Sequence, residues 1–134
     1  MAVNTAEQTK GADGRSALIR SLRDCLPTEC VIADRESQRP YECDALTLFR
    51  DLPLAVVLPE TAEQVRDVLR ICDSLSVPVV ARGAGTGLCA GAMPHPEGVL
   101  LVLTKLDRIV DIDPLARTAR VEPGVSNLSI SEAV

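Results

Sequence analysis

The residue types with the clearest chemical meaning lie between Pro78 and Ala92, where glycines stand at 83, 85, 87 and 91 directly after an apolar Val79-Val80-Ala81. Glycine lets the chain turn tightly and leaves no Cβ in the way. Successive backbone N–H groups can then face one concavity and hold phosphate or pyrophosphate oxygens. In such a loop Arg82 supplies a charge or braces the backbone, and the Thr86 hydroxyl donates to a phosphate oxygen. Three readings fit. Gly85-x-Gly87-x-x-Ala90, with Asp107 farther on, formally matches a Rossmann dinucleotide loop. That motif must open a helix near Gly87, which Gly91, Pro94 and Pro96 oppose. The second reading is a loop of turns with no ligand. The third is a flavin-pyrophosphate loop in a non-Rossmann fold, which needs no long helix after it. A Walker loop is excluded, because no Gly-Lys-[Ser/Thr] is present.

Other reactive groups offer little. His95 is the single histidine and sits in Met93-Pro94-His95-Pro96, which reads as a surface turn. Ser–His or Cys–His relays and histidine metal sites therefore lack their parts. The five cysteines (Cys25, Cys30, Cys43, Cys72, Cys89) contain no C-x-x-C pair and read as free thiols in a reducing compartment. Cys89 is expected to be a buried, inert thiol rather than a redox group. Asp111 and Asp113 are expected to cap a hairpin turn. No residue is assigned as catalytic and none as a metal ligand.

The elements that position the loop follow from periodicity. Arg15–Leu26 carries Leu18, Ile19, Leu22, Cys25 and Leu26, the stripe of an amphipathic helix that Pro27 stops. Val31-Ile32 predicts a short strand, and Ala45–Phe49 a helical turn. Leu54–Leu58 reads as a strand buried on both faces. Thr61 and Gln64 form a capping box in which the Gln64 side chain returns to the Thr61 amide. The helix behind it places Val65, Val68, Leu69, Cys72 and Leu75 on one stripe. Val79–Ala81 and Val99–Leu103 are further strands. Strand, helix, strand in this order makes a βαβ unit whose first two strands are parallel. Ile109–Ile112 and Thr118–Val121 flank Asp113-Pro114 as a hairpin. Pro123-Gly124 predicts a type II turn with Gly124 at positive φ. Ser126 or Asn127 then caps a helix from Leu128.

Composition narrows the partners. The 134 residues hold one Tyr, one Phe and no Trp, so no base-stacking platform exists. Fourteen basic against nineteen acidic residues leave a net charge of −5 with no basic stripe for nucleic acid. No apolar run has the length of a membrane span, and the polar start lacks the apolar core of a secretory signal.

The segment PVVARGAGTGL, preceded by LPETAEQVRDVLRIC and followed by VLLVLTKLDRIVDIDP and ARVEPGV, resembles the FAD-linked oxidases of the vanillyl-alcohol oxidase and p-cresol methylhydroxylase type. Among them it is most similar to the flavin subunits of bacterial glycolate oxidase. RPYECDAL at 39–46 and GVSNLSISEA at 124–133 share the resemblance, which runs from about Arg15 to Val134. It implies an α+β fold: the first subdomain of a p-cresol methylhydroxylase-type FAD-binding domain, with a small parallel βαβ sheet and helices followed by a β-hairpin, and truncated. The expected organisation is a flexible N-terminus at 1–14, an N-terminal helical segment at 15–52, and the incomplete N-terminal part of the FAD-binding domain at 53–134.

The resemblance further implies non-covalent FAD, held by Val80, Arg82, Gly83, Ala84, Gly85, Thr86, Gly87 and Leu88, with Pro123 and Gly124 close by. Some relatives attach FAD covalently through a histidine where this chain has Thr86. The family commonly reads G-T-[SG]-L-S-G-G-A, and here Cys89 replaces the Ser and Ala90 a Gly. The implied activity of the complete protein is oxidation of a 2-hydroxy acid such as glycolate or D-lactate by hydride transfer to the flavin. The implied partners are the small-molecule substrate and further subunits of a glycolate oxidase complex, with no nucleic acid. The implied location is cytoplasmic, or peripheral at the inner membrane through those subunits. A non-catalytic nucleotide- or flavin-binding module, or an inactive truncated product, is the alternative.

Overall fold

A computed structural model describes residues 11–134; the part of the expected flexible N-terminus before Gly11 lies outside the described residues. Helix α1 (Ala12–Cys25) begins three residues earlier than its apolar stripe suggests and ends at Leu26, before Pro27. A 3-10 turn at Thr28–Cys30 leads to β1 (Val31–Ile32), and Asp34 caps the short α2 (Arg35–Gln38) by accepting from the Ser37 amide. A second 3-10 turn covers Arg39–Tyr41.

The helical turn expected at Ala45–Phe49 does not form. The Asp44 carboxylate takes the Leu46 amide at 3.0 Å, and Thr47 adopts φ 57°, a left-handed conformation that ends any right-handed turn. The helical residues of this region lie earlier, at 35–41.

Strands β2 (Ala55–Val57), β3 (Val79–Arg82) and β4 (Val99–Val102) join β1 in one sheet of order β1-β2-β4-β3. Helix α3 (Ala62–Ser74) links β2 to β3. The two strands of this unit are parallel as expected but are not neighbours, because β4 lies between them and pairs with both. Central position explains why β2 and β4 are apolar without alternation: every residue of both is buried.

The capping box at the start of α3 forms with one change. Gln64 N donates to Thr61 Oγ1, while the Gln64 side chain accepts from the Glu60 amide at 2.7 Å and not from that of Thr61.

One face of the sheet packs Ala55, Val57, Val99 and Leu101 under Leu18, Leu22 and Leu26 of the α1 region and Val68 and Cys72 of α3. The other face joins Val56, Leu100 and Val102 with Val80 and Tyr41. Burying each Leu or Val contributes about 1.5–3 kcal/mol, so these two layers hold the β-strand ends in place.

Beyond β4, β5 (Ile109–Asp113) and β6 (Thr118–Val121) form the expected antiparallel hairpin, with a bulge between Ile109 and Asp111. Asp113 caps its turn through the Leu115 and Ala116 amides. Asp111 does not: it stands opposite Arg120 in the ladder, too far from the turn to cap it. Ser126 caps α4 (Asn127–Ala133), its side chain accepting from the Ser129 amide.

Candidate cofactor-binding site

The glycine-rich loop leaves the end of β3 at the carboxyl edge of the parallel strands, where open α/β sheets place ligands. Three anchors fix it. Arg82 O accepts from Leu103 N at 2.9 Å, tying the end of β3 to the end of β4. Gly85 O accepts from Ala45 N at 2.9 Å. Arg82 turns its guanidinium under the loop, donating to Cys43 O at 2.9 Å, Tyr41 O at 3.4 Å and Ala84 O at 3.5 Å. Its Cζ lies 5.9 Å from the centroid of the Tyr41 ring. Arg82 is 9% exposed, so of its two expected roles the structure supports the brace.

The brace requires Gly85. This glycine has φ +73°, and a Cβ there would sit 1.7 Å from Arg82 Nη2. It is the one described glycine with a positive φ. The backbone N–H groups of Ala84, Gly85, Thr86, Gly87 and Leu88 donate to no acceptor among the described residues. No charged side chain occurs between Gly83 and Ala92, and Thr86, Gly87 and Leu88 are exposed. The loop thus presents neutral, unpaired donors on a fixed edge, a donor set that fits phosphate oxygens.

Pro123-Gly124 does approach the loop. A Cβ on Gly83 would lie 3.9 Å from Pro123 O. Gly124 is not at positive φ, which corrects the type II expectation. Glycine is required there by close approach instead: a Cβ would stand 2.5 Å from Leu103 O and 2.8 Å from both Thr104 O and Leu106 O. Gly124 N donates to Leu106 O at 2.7 Å, seating this turn on the segment after β4. Val80 is half-buried on the Tyr41 face of the sheet, so its side chain faces the Tyr41 layer beneath the loop.

Residues 83–92 contain no helix, which removes the Rossmann reading. Cys89 is exposed and free, contrary to the buried thiol expected. Without a following helix this stretch stays on the surface. Ala90 takes φ 58°, a left-handed conformation that glycine adopts without strain. His95 lies on the surface as expected, its Nδ1 accepting from Glu97 N.

Residue-level reasoning assigned no role to Tyr41, Cys43, Asp44 and Ala45, the platform under the loop. The signal was the RPYECDAL block. Asp44 is buried, and its Oδ2 finds no partner among the described residues. Those residues include no group of three or more acidic, Cys or His side chains able to hold a metal, and no helix long and apolar enough to cross a membrane.

Residues 53–134 match a family model described as an FAD binding domain. The glycolate oxidase subunit GlcD of Escherichia coli (strain K12) is 50% identical over 120 residues, which cover 90% of this chain and 24% of that protein. The D-2-hydroxyglutarate dehydrogenase of Stutzerimonas stutzeri (strain A1501) is 29% identical, over 87% of this chain and 25% of its own length. Among solved structures, p-cresol methylhydroxylase with substrate bound superposes with a TM-score of 0.79 at 28% identity, covering 92% of this chain and 25% of that one. The chain spans about a quarter of the length of these relatives. The fold is therefore that of the p-cresol methylhydroxylase type, as its sequence resemblance implied.

Proposed function

Because this chain belongs to the FAD binding domain family, we propose that residues 80–88, with Pro123 and Gly124, hold the pyrophosphate of a non-covalent FAD. The observation that carries this reading is the row of five unpaired amides from Ala84 to Leu88. In it Gly83, Ala84, Gly85, Gly87 and Leu88 act through their backbone. Thr86 adds a hydroxyl, and Arg82 positions the loop from below. Val80 sets the strand end, and the Pro123-Gly124 turn closes the side nearest Gly83. Non-covalent binding is supported by Thr86, a residue without a nucleophilic nitrogen. Residues 53–134 are read as the N-terminal part of this domain, and 15–52 as the helical segment packed beside it.

For the complete protein the proposed reaction is oxidation of a 2-hydroxy acid such as glycolate or D-lactate, within a complex of further subunits. The support is the similarity to the glycolate oxidase subunit and to the 2-hydroxyglutarate dehydrogenase. When bound, FAD supplies the hydride acceptor. The residues of this chain contribute binding and orientation, and no general base is assigned among them.

Two measurements test this reading. Flavin retained by the purified protein after gel filtration, and released on acid precipitation, supports non-covalent FAD. Anaerobic bleaching of the flavin by glycolate or D-lactate supports the reaction, and bleaching by neither acid contradicts it.

A further inference from the structure

Three side chains flanking three strands meet at the carboxyl edge of the larger sheet. Cys30 precedes β1, Glu60 follows β2, and Lys105 follows β4. Because β1 runs antiparallel to β2 while β4 runs parallel to it, the start of β1 and the ends of the other two share one edge. Leu58 N donates to Cys30 O at 2.9 Å and fixes that register. Lys105 Nζ lies 3.3 Å from Cys30 Sγ and 2.7 Å from Glu60 Oε1, and the sulfur lies 3.8 Å from the same oxygen. Cys30 is fully buried, but the side chains over it are open to solvent, Lys105 at 37% and Glu60 at 48%. A surface ion pair has no need of a thiol. Here a sulfur, an amine and a carboxylate that holds the amine over the sulfur are in mutual contact.

We propose that Cys30 and Lys105 form an oxidative modification site, joined by a covalent sulfur–nitrogen bond after a hydroperoxide oxidises the thiol. In the first step the Cys30 sulfur attacks one peroxide oxygen. The O–O bond breaks, water (or an alcohol) leaves, the peroxide is reduced by two electrons, and the sulfur becomes a sulfenic acid. In the second step the Lys105 ammonium loses a proton to solvent, and the freed amine, held over the sulfur by Glu60, attacks it. The S–O bond breaks and the hydroxyl departs as water, carrying a second proton from the nitrogen. The link ties β1 to β4 across β2 and closes a long loop between residues 30 and 105, which restricts the unfolded chain.

The test uses hydrogen peroxide on the complete protein carrying Cys89→Ser, followed by alkylation, trypsin and mass spectrometry. Trypsin releases Cys30 in the peptide 24–35, and a linked Lys105 resists cleavage, leaving its partner as 83–108. The expected product is these two peptides joined and two hydrogens lighter than their sum, separated again by dithiothreitol. The oxidised protein should melt several degrees higher. Lys105→Arg, which keeps the charge, should abolish the link and leave a Cys30 sulfenic acid that dimedone captures. The proposal is overturned by dimedone capture at Cys30 in the parent protein with no cross-link. It is equally overturned by a linked pair that retains an oxygen, by a disulfide in its place, or by an unoxidised Cys30. None of these outcomes depends on flavin binding.

Discussion

Gly85 and Arg82 form one device: the glycine's left-handed φ and missing Cβ make room for the guanidinium that holds the loop from below. Arg82→Met removes the donors to Tyr41 and Cys43 and leaves their carbonyls unserved. It should cost roughly 1.5–3 kcal/mol in chemical denaturation. A loss under half a kcal/mol would show that the brace contributes little. Ala90 presents the opposite case, a side chain in a left-handed conformation. Ala90→Gly relieves that strain and should stabilise the fold by about 1 kcal/mol after the entropy cost of glycine. Thiol reactivity should follow position. Burial pushes the Cys72 thiol up to about 11, with Cys25 adding to it, so Cys72 stays protonated at neutral pH. Native-state alkylation should label the exposed Cys89 first and Cys72 only after unfolding.

At the scale of elements, what was legible was what has a period or a cap. The stripe of α3, the unbroken apolar runs of β2 and β4, and the hairpin turn at Asp113 all follow from local patterns. The order of strands did not, because inserting β4 between β2 and β3 is decided by long-range pairing. Gly124 shows the same limit. Its identity reads as the positive-φ position of a turn, whereas the turn that forms requires glycine because three carbonyls from 103–106 would crowd a Cβ. Of the site, the loop was visible in its glycines, but the platform at 41–45 was not, since it acts through backbone carbonyls and one amide. Thr61→Ala removes the cap of α3 and should cost about 1 kcal/mol, read from the denaturation midpoint. An unchanged midpoint would mean that the Gln64 bond to Glu60 suffices.

Across the whole molecule, several carboxylates are set for neutral pH. The Ser37 amide and hydroxyl hold Asp34 below the ordinary carboxylate range, and Lys105 does the same for Glu60 and Arg108 for Glu122. Each therefore contributes stability that is complete above the unfolded carboxylate value, near pH 4, and is lost as pH falls through the lower folded value. The melting temperature should hold level from pH 7 to about pH 5 and fall below it. Glu122→Gln should lower the plateau and flatten the acid limb, whereas an unaltered limb would place acid sensitivity elsewhere. Lys105 and Arg108, both raised by those partners, act in the other direction. Their contribution is complete below the unfolded values and lost as pH rises through the folded ones.

The central claim, that five loop amides grip a pyrophosphate, is tested most directly by the flavin content of Thr86→Glu. Thr86 is exposed and at the centre of the row, so a carboxylate there should repel phosphate while leaving the fold intact. The complete wild-type protein should leave gel filtration with close to one FAD per chain. Thr86→Glu, with an unchanged melting temperature in the absence of flavin, should leave with less than a tenth of that. A folded Thr86→Glu protein that retains FAD as fully as the wild type would contradict the assignment.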